Sequence, residues 1–258
     1  MGEIYVYGVV RASRVPVSGA AGGVGSPPAA VRLLAEGPVA AVISEAPPGL
    51  RARRRDLLAH QTVLGEMGRG GPVLPMRFAT VASDESTVRS TLTANAERYV
   101  AALDRVTDRV EMNVKVGPAQ DRLAELLRQE PHLQRLRRVA RAQPGYENDV
   151  RLGEAVATAL EQRAGQAADV VVRALAEVAA EAVAGPVTEG CVRNVSFLVD
   201  EDGLPAFRAT AGKLAAGLFD RMELRLTGPL PCYSFVPADQ DEARAGTTAR
   251  GTKASSWA

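Results

Sequence analysis

With 258 residues, 46% of them apolar and 24% charged, the chain has the length and composition of a globular protein with one large or two modest domains. Its 31 basic and 30 acidic residues leave a net charge of +1, which argues against nucleic acid or an anionic membrane as the main partner. Two cysteines without a secretion-like start, and no run near the roughly 20 apolar residues of a membrane span, lead to the expectation of a soluble, cytoplasmic protein.

The first segment, residues 4–10, is a continuous β-branched and aromatic run and reads as a buried strand. Residues 11–30 are rich in Gly, Pro, Ala and Ser and read as a loose loop. Gly23-Val24-Gly25 within it lacks a third glycine, and Pro27-Pro28 stands where a phosphate-binding helix would open, so it is taken as a flexible connector. A second strand is expected over residues 39–43. Residues 50–67 carry a helical stripe of Leu57, Leu58, Gln61, Leu64 and Met67. Arg51, Arg53, Arg54 and Arg55 at its start have no interleaved aromatics and read as a solvated or protein-contact face. His60 in that helix has only the distant His132 for company, so an ordinary hydrogen-bonded histidine is expected. Residues 73–81 read as extended, with Pro75 pointing to an edge or bulge. Ser83 or Asp84 then caps a helix to Val106, its face made of Val88, Leu92, Asn95, Tyr99, Leu103 and Val106.

Val110, Met112, Val114 and Val116 alternate with polar residues, which predicts a strand over 109–116. Short Arg-rich helices are expected at 121–127 and 133–140, separated by Pro131. The cluster Arg135, Arg137, Arg138 and Arg141 is most simply a solvated face. A long helix follows over 149–184, then a short strand at 186–189 and a firmer one at 192–199. Phe207, Ala211, Leu214 and Leu218 mark another helix. Met222, Leu224 and Leu226 alternate in a last strand, which Gly228-Pro229-Leu230-Pro231 is expected to stop before an aromatic hook, Cys232-Tyr233-Ser234-Phe235-Val236. From residue 109 the order is βαββαβ with a helical insertion, the arrangement of a ferredoxin-like domain. The expected architecture is α+β, with an N-terminal domain at 1–107, a ferredoxin-like domain at 108–236 and a disordered tail at 237–258.

Chemistry is sparse. The sequence holds no CxxC, HExxH, nucleophile elbow, kinase or Walker signature, and Asp200-Glu201-Asp202-Gly203 lacks the ligand spacing of a calcium loop. No catalytic, cofactor-binding or metal-ligating residue is therefore expected, and no enzyme.

Five segments together resemble the gas vesicle protein GvpL/GvpF family. They are IYVYGVV at 4–10, HQTVLGEM at 60–67, VLPMRFATV at 73–81, VEMNVKV at 110–116 and ELRLTGPLPCYSFV at 223–236. The last departs from the family pattern, with Cys232 where a second proline usually precedes the tyrosine. The resemblance implies two α+β domains, the second ferredoxin-like, in a non-catalytic accessory or minor structural protein of gas vesicle assembly. It implies association with gas vesicles in the cytoplasm, with the small hydrophobic shell protein and other accessory proteins as partners. Arg77, Phe78, Tyr233 and Phe235 lie in the most family-like segments and are the candidates for a structural latch or partner contact. The alternative is a small-molecule-binding or regulatory module on the same sheet scaffold.

Overall fold

A computed structural model describes residues 2–13 and 22–237. Most of the tail expected to be disordered, and residues 14–21 of the expected loop, lie outside the described residues. The described residues mix helix and sheet in two compact units, one of those up to Thr107 together with Phe235–Pro237, the other of Asp108–Ser234.

The first unit is built on β1 (Ile4–Arg11), whose first seven residues are all buried. β1 pairs antiparallel with β3 (Val39–Glu45), and β3 with β2 (Arg32–Glu36). The β2–β3 hairpin turns through Gly37-Pro38, with Gly37 at φ +57°. β2 escaped the sequence reading because five residues with charged ends carry little periodic signal. On the other side of β1 lie two two-residue strands, β4 (Leu74–Pro75) and β5 (Val81–Ala82). The extended segment expected at 73–81 is thus broken by a turn in which Thr80 N–H donates to the Arg77 carbonyl at 3.2 Å. Gly8 marks a register shift in β1, and a Cβ there would meet the Leu74 carbonyl at 2.6 Å, so only glycine lets β4 approach so closely.

Helix α1 (Arg54–Arg69) buries Asp56, His60, Val63, Leu64 and Met67 against Tyr5, Tyr7 and Val42. The expected stripe through Leu57 and Leu58 is therefore corrected: both are exposed, and the inward face is rotated by about one residue. The expected single helix to Val106 is two, α2 (Glu85–Ala94) and α3 (Ala96–Arg105). Asn95 breaks it, its backbone N–H and its side-chain amide both donating to the Thr91 carbonyl at 3.1 and 3.0 Å. The face itself holds, since Val88, Leu92, Tyr99, Leu103 and Val106 are all buried. At the start of α2 the Asp84 carboxylate accepts from Thr87 N–H at 2.7 Å, the expected cap.

The second unit is a four-stranded sheet in the order β7-β8-β6-β9, every pair antiparallel. Its strands are β6 (Arg109–Pro118), β7 (Glu181–Ala184), β8 (Arg193–Asp200) and β9 (Met222–Leu230). Between β6 and β7 come α4 (Leu123–Gln129), α5 (Pro131–Ala142) and α6 (Tyr146–Ala176); α7 (Leu204–Gly217) precedes β9. Pro131 opens α5 at its first turn, where a missing N–H costs nothing. Met112, Val114, Val195, Phe197 and Val199 from the sheet pack with Ala164, Ala168, Val171 and Leu175 of α6 and Phe207 and Ala211 of α7. The small residues of α6 let that helix lie close to the strands, and the Phe197 and Phe207 rings meet at 5.4 Å.

Three expectations fail here. The long helix stops at Ala176, not residue 184, and the expected strand at 186–189 is a loop. Residues 177–184 satisfy both the helical and the alternating template. Ladder bonds to β8 decide the matter: Ala180 N–H donates to the Leu198 carbonyl at 2.8 Å, and Glu181–Ala184 pairs on from there. Nor do the glycine and prolines end β9 at Thr227. A register shift opposite residues 111–113 absorbs Gly228, and Leu230 still pairs with Glu111.

Candidate functional site

Residues 22–30 are less loose than their composition implies. Val24 is fully buried, its N–H donates to the Tyr7 hydroxyl at 2.8 Å, and Gly25 N–H donates to the buried Asp56 carboxylate at 3.1 Å. The Gly-Val-Gly segment is thus tied to β1 and α1, and neither a free connector nor a phosphate loop.

Phe78 sits in the same core. Its ring lies 6.2 Å from Tyr5 and 5.8 Å from His60, while Tyr7 stacks on His60 at 5.7 Å. The Tyr5 hydroxyl is 2.9 Å from His60 Nδ1 and accepts from Ala79 N–H at 3.1 Å. Ala79 is at φ +68°, a left-handed position held by that bond. The cluster therefore fixes the turn that carries Arg77, which is exposed. Burial lowers the His60 pKa below its ordinary 6.5, and a hydrogen bond with the Met76 backbone only partly opposes this. The folded value being depressed, the stabilisation is complete above about pH 6.5 and is lost as pH falls through the folded value. Denaturant midpoints of the native protein should fall between about pH 7.5 and 5, and His60→Gln should flatten that slope. Equal slopes for the two proteins would show that His60 is not the titrating group.

The hook is anchored through Glu111, a carboxylate only 4% exposed. It accepts from the Ser234 backbone N–H and from the Ser234 hydroxyl, each at 2.8 Å. Cys232 is buried beside it, and burial first, then the Glu111 charge, pushes its thiol up to about 12. Such a thiol is inert packing material at neutral pH. Tyr233 and Phe235 part company: Tyr233 is 37% exposed in the second unit, whereas Phe235 is 1% exposed in the first, with the Arg105 guanidinium 5.5 Å from its ring centre.

None of the sequence-chosen residues lines a cleft of about 860 Å³ at one end of the second sheet. Its walls are the end of β6 (Lys115–Pro118), the 119–122 turn, the 188–191 loop, Phe219 and the first residues of β9. Gly117 holds the loop in place, since a Cβ there would strike the Gly190 carbonyl at 2.4 Å. The Arg122 guanidinium lies 5.0 Å from the centre of the Phe219 ring and 3.3 Å from the Asp121 carboxylate, yet its Nε–H finds no hydrogen-bond acceptor. Phe219 is 55% exposed. Lys115, Arg122 and Arg225 line the cleft together with Asp121, Glu189 and Glu223, so its lining is balanced in charge and more polar than apolar. Among the described residues no group of three or more His, Cys, Asp or Glu side chains is placed to hold a metal ion, and no helix is long and apolar enough to cross a membrane. A groove of this kind, bordered by the edge strand β9, is suited to holding a polypeptide surface. The one sequence signal for it was Phe219, a large apolar residue just beyond the end of α7.

The sequence model of the family described as "Gas vesicle synthesis protein GvpL/GvpF" matches residues 3–237. The chain is 41% identical over 235 residues to gas vesicle protein F of a Streptomyces species, covering 90% of this chain and 98% of the relative. It is 31% identical over 261 residues to gas vesicle protein L of a Streptomyces species, covering 92% and 94%. The fold is shared with the crystal structure of GvpF from an Anabaena species, at a TM-score of 0.76 and 20% identity over 93% of this chain and all of that one. It is shared also with the crystal structure of GvpF from Microcystis aeruginosa, at a TM-score of 0.71 and 19% identity over 92% of this chain and all of that one. A match that runs unbroken from β1 through the terminal hook, with close relatives along nearly the whole length, places this chain in the GvpL/GvpF family of gas vesicle synthesis proteins.

Proposed function

We propose that the chain is a non-catalytic accessory protein of gas vesicle assembly, acting in the cytoplasm and binding the small hydrophobic shell protein together with other accessory proteins. The observation that carries this reading is the family match over residues 3–237, with the F-type relative nearer in identity than the L-type one. Two domains, the second ferredoxin-like, are part of the same reading; the antiparallel order β7-β8-β6-β9 with α6 and α7 packed on the sheet supports it. A shell subunit with a large apolar surface must be shielded until it polymerises, because exposed apolar patches aggregate. The cleft beside β9, with Phe219 at its rim, is the surface we assign to that contact, and Arg77 and Tyr233 are exposed enough to add to partner binding.

Co-expression with the shell protein and affinity capture is the test. The shell protein should co-purify, and Phe219→Asp, a change on an exposed ring, should cut the yield severalfold without changing the melting temperature. No capture, together with normal vesicles in a deletion strain, would refute the proposal. The cleft's volume also lies within the range of small-molecule pockets, which keeps the regulatory-module reading in play. A nucleotide or amino acid that raised the melting midpoint by several degrees would favour it.

A further inference from the structure

The hairpin of α5 and the first half of α6 carries a run of four exposed arginines within seven residues. α6 is about 46 Å long by its 31 residues, and its first buried residue is Ala164, so its N-terminal half lies beyond the sheet core with α5 against it. α5 turns Leu133 and Ala140 inward. Arg135 and Arg138 lie on the opposite side, Arg137 and Arg141 are exposed on its flank, and the helix holds no acidic residue at all. Like charges at these helical spacings repel by a few tenths of a kcal/mol per pair, so the helix keeps them at a cost.

Several other arginines of this unit are paired, among them Arg151 with Glu147 at 3.3 Å, Arg163 with Asp220 at 2.7 Å and Arg193 with Asp169 at 2.9 Å. The four on α5 make no ion pair or side-chain hydrogen bond with any described residue. Arg135, Arg138, Val139 and Ala142 follow the i, i+3, i+4, i+7 spacing of one face, and Val139 is 45% exposed among the guanidinium groups. Just beyond the turn, Tyr146 and Val150 extend the exposed apolar surface at i, i+4 spacing on α6.

We propose that this face of α5 docks an acidic amphipathic helix of a partner protein, its carboxylates on Arg135 and Arg138 and its apolar stripe on Val139, with Arg141 and Arg137 adding positive potential from the flank. Arginine forks bind carboxylates bidentately, and a helix laid along α5 meets both the charged and the aliphatic positions at once. A nucleic acid fits less well. The basic run spans about 10 Å, no Phe, Tyr or Trp stands among its arginines, and Glu130 and Glu147 stand at its two ends. This inference does not depend on the cleft or on the shell protein.

The test uses the full chain and a fluorescein-labelled peptide of about 18 residues with glutamates along one face and leucines at three- and four-residue spacing along another. Saturable binding by anisotropy is expected, weakening about tenfold or more from about 50 to 300 mM salt. Arg135→Glu/Arg138→Glu should lower affinity at least about tenfold with an unchanged circular dichroism spectrum, and Arg135→Gln/Arg138→Gln should give an intermediate loss. The inference falls if the same peptide with lysine for glutamate binds as well, or if the charge-reversed protein binds like the native one. It falls equally if the glutamate peptide does not bind, whether or not a DNA duplex of similar length does.

Discussion

Gly228→Ala should be among the most destabilising single methyl additions in the second unit, lowering its stability by about 2–4 kcal/mol. Two independent effects combine there. Gly228 sits at φ +138°, a conformation that residues with a Cβ rarely adopt. The added Cβ would also come within 2.6 Å of Met112 Sδ and 2.9 Å of the Glu111 carbonyl oxygen. The sulfur ends a flexible side chain and can move, but the carbonyl belongs to β6 and cannot shift without disturbing the β6–β9 ladder. Gly212→Ala is the matched control. Gly212 lies within α7, a Cβ there meets nothing within 4 Å, and alanine in place of a helical glycine should be neutral or stabilise by up to about 1 kcal/mol. The urea midpoint should therefore fall in Gly228→Ala and hold or rise in Gly212→Ala. A Gly228→Ala protein that unfolds at the native midpoint would mean that β9 does not run on to Leu230 as described.

That strand shows where sequence reasoning reached and where it stopped. The alternation of Met222, Leu224 and Leu226 located β9, and the alternation from Val110 to Val116 located β6, because each strand has one face on α6 or α7 and one turned away. Gly228 and Pro229 then read as a stop, since local chemistry alone disfavours continuing a ladder through them. Only the partner strand reveals that a register shift accommodates the pair. The same limit explains residues 177–184, where an alanine-rich run fits two periods and the choice belongs to β8. It explains α1 as well, whose inward face is set by Tyr5 and Tyr7 and holds the polar Asp56 and His60. A hydropathy stripe cannot find a face that is half polar.

For the candidate sites the pattern is similar. Phe78 and Phe235 were marked because they lie in family-like segments, and both are packed, one half-buried against His60 and the other under Arg105. The cleft was invisible because its walls come from four separate stretches of chain, each of them unremarkable alone. The basic run on α5 was legible at once, but its lack of internal counter-charges was not. Whether an arginine is paired depends on what lies across from it, and that is a property of the fold.

Glu111→Ala should release the hook and cost about 2 kcal/mol, more than an ordinary surface carboxylate, because it removes a buried carboxylate that accepts from both the N–H and the hydroxyl of Ser234. The Ser234 hydroxyl keeps a neighbour, the Ser196 hydroxyl at 3.0 Å, so its loss is partial. Glu111→Gln retains one acceptor oxygen and should cost about 1 kcal/mol. Cys232 supplies a readout of the hook that is separate from global unfolding. In the native protein its thiol is buried and held at about 12, which leaves almost no thiolate to react. Glu111→Gln removes the smaller of the two causes of that shift, so reactivity should rise little, burial still dominating. Glu111→Ala, by freeing the segment, should expose the thiol and raise its alkylation rate by more than about tenfold at neutral pH, with the half-buried Cys191 as internal reference. An unchanged Cys232 rate in the alanine variant would show that the hook stays seated without the carboxylate. The same pair of variants separates the two roles open to the terminal segment. If a freed hook still captures the shell protein at the native level, it is a latch. If capture falls in Glu111→Ala while the rest of the fold persists, the segment around Tyr233 contributes to the contact itself.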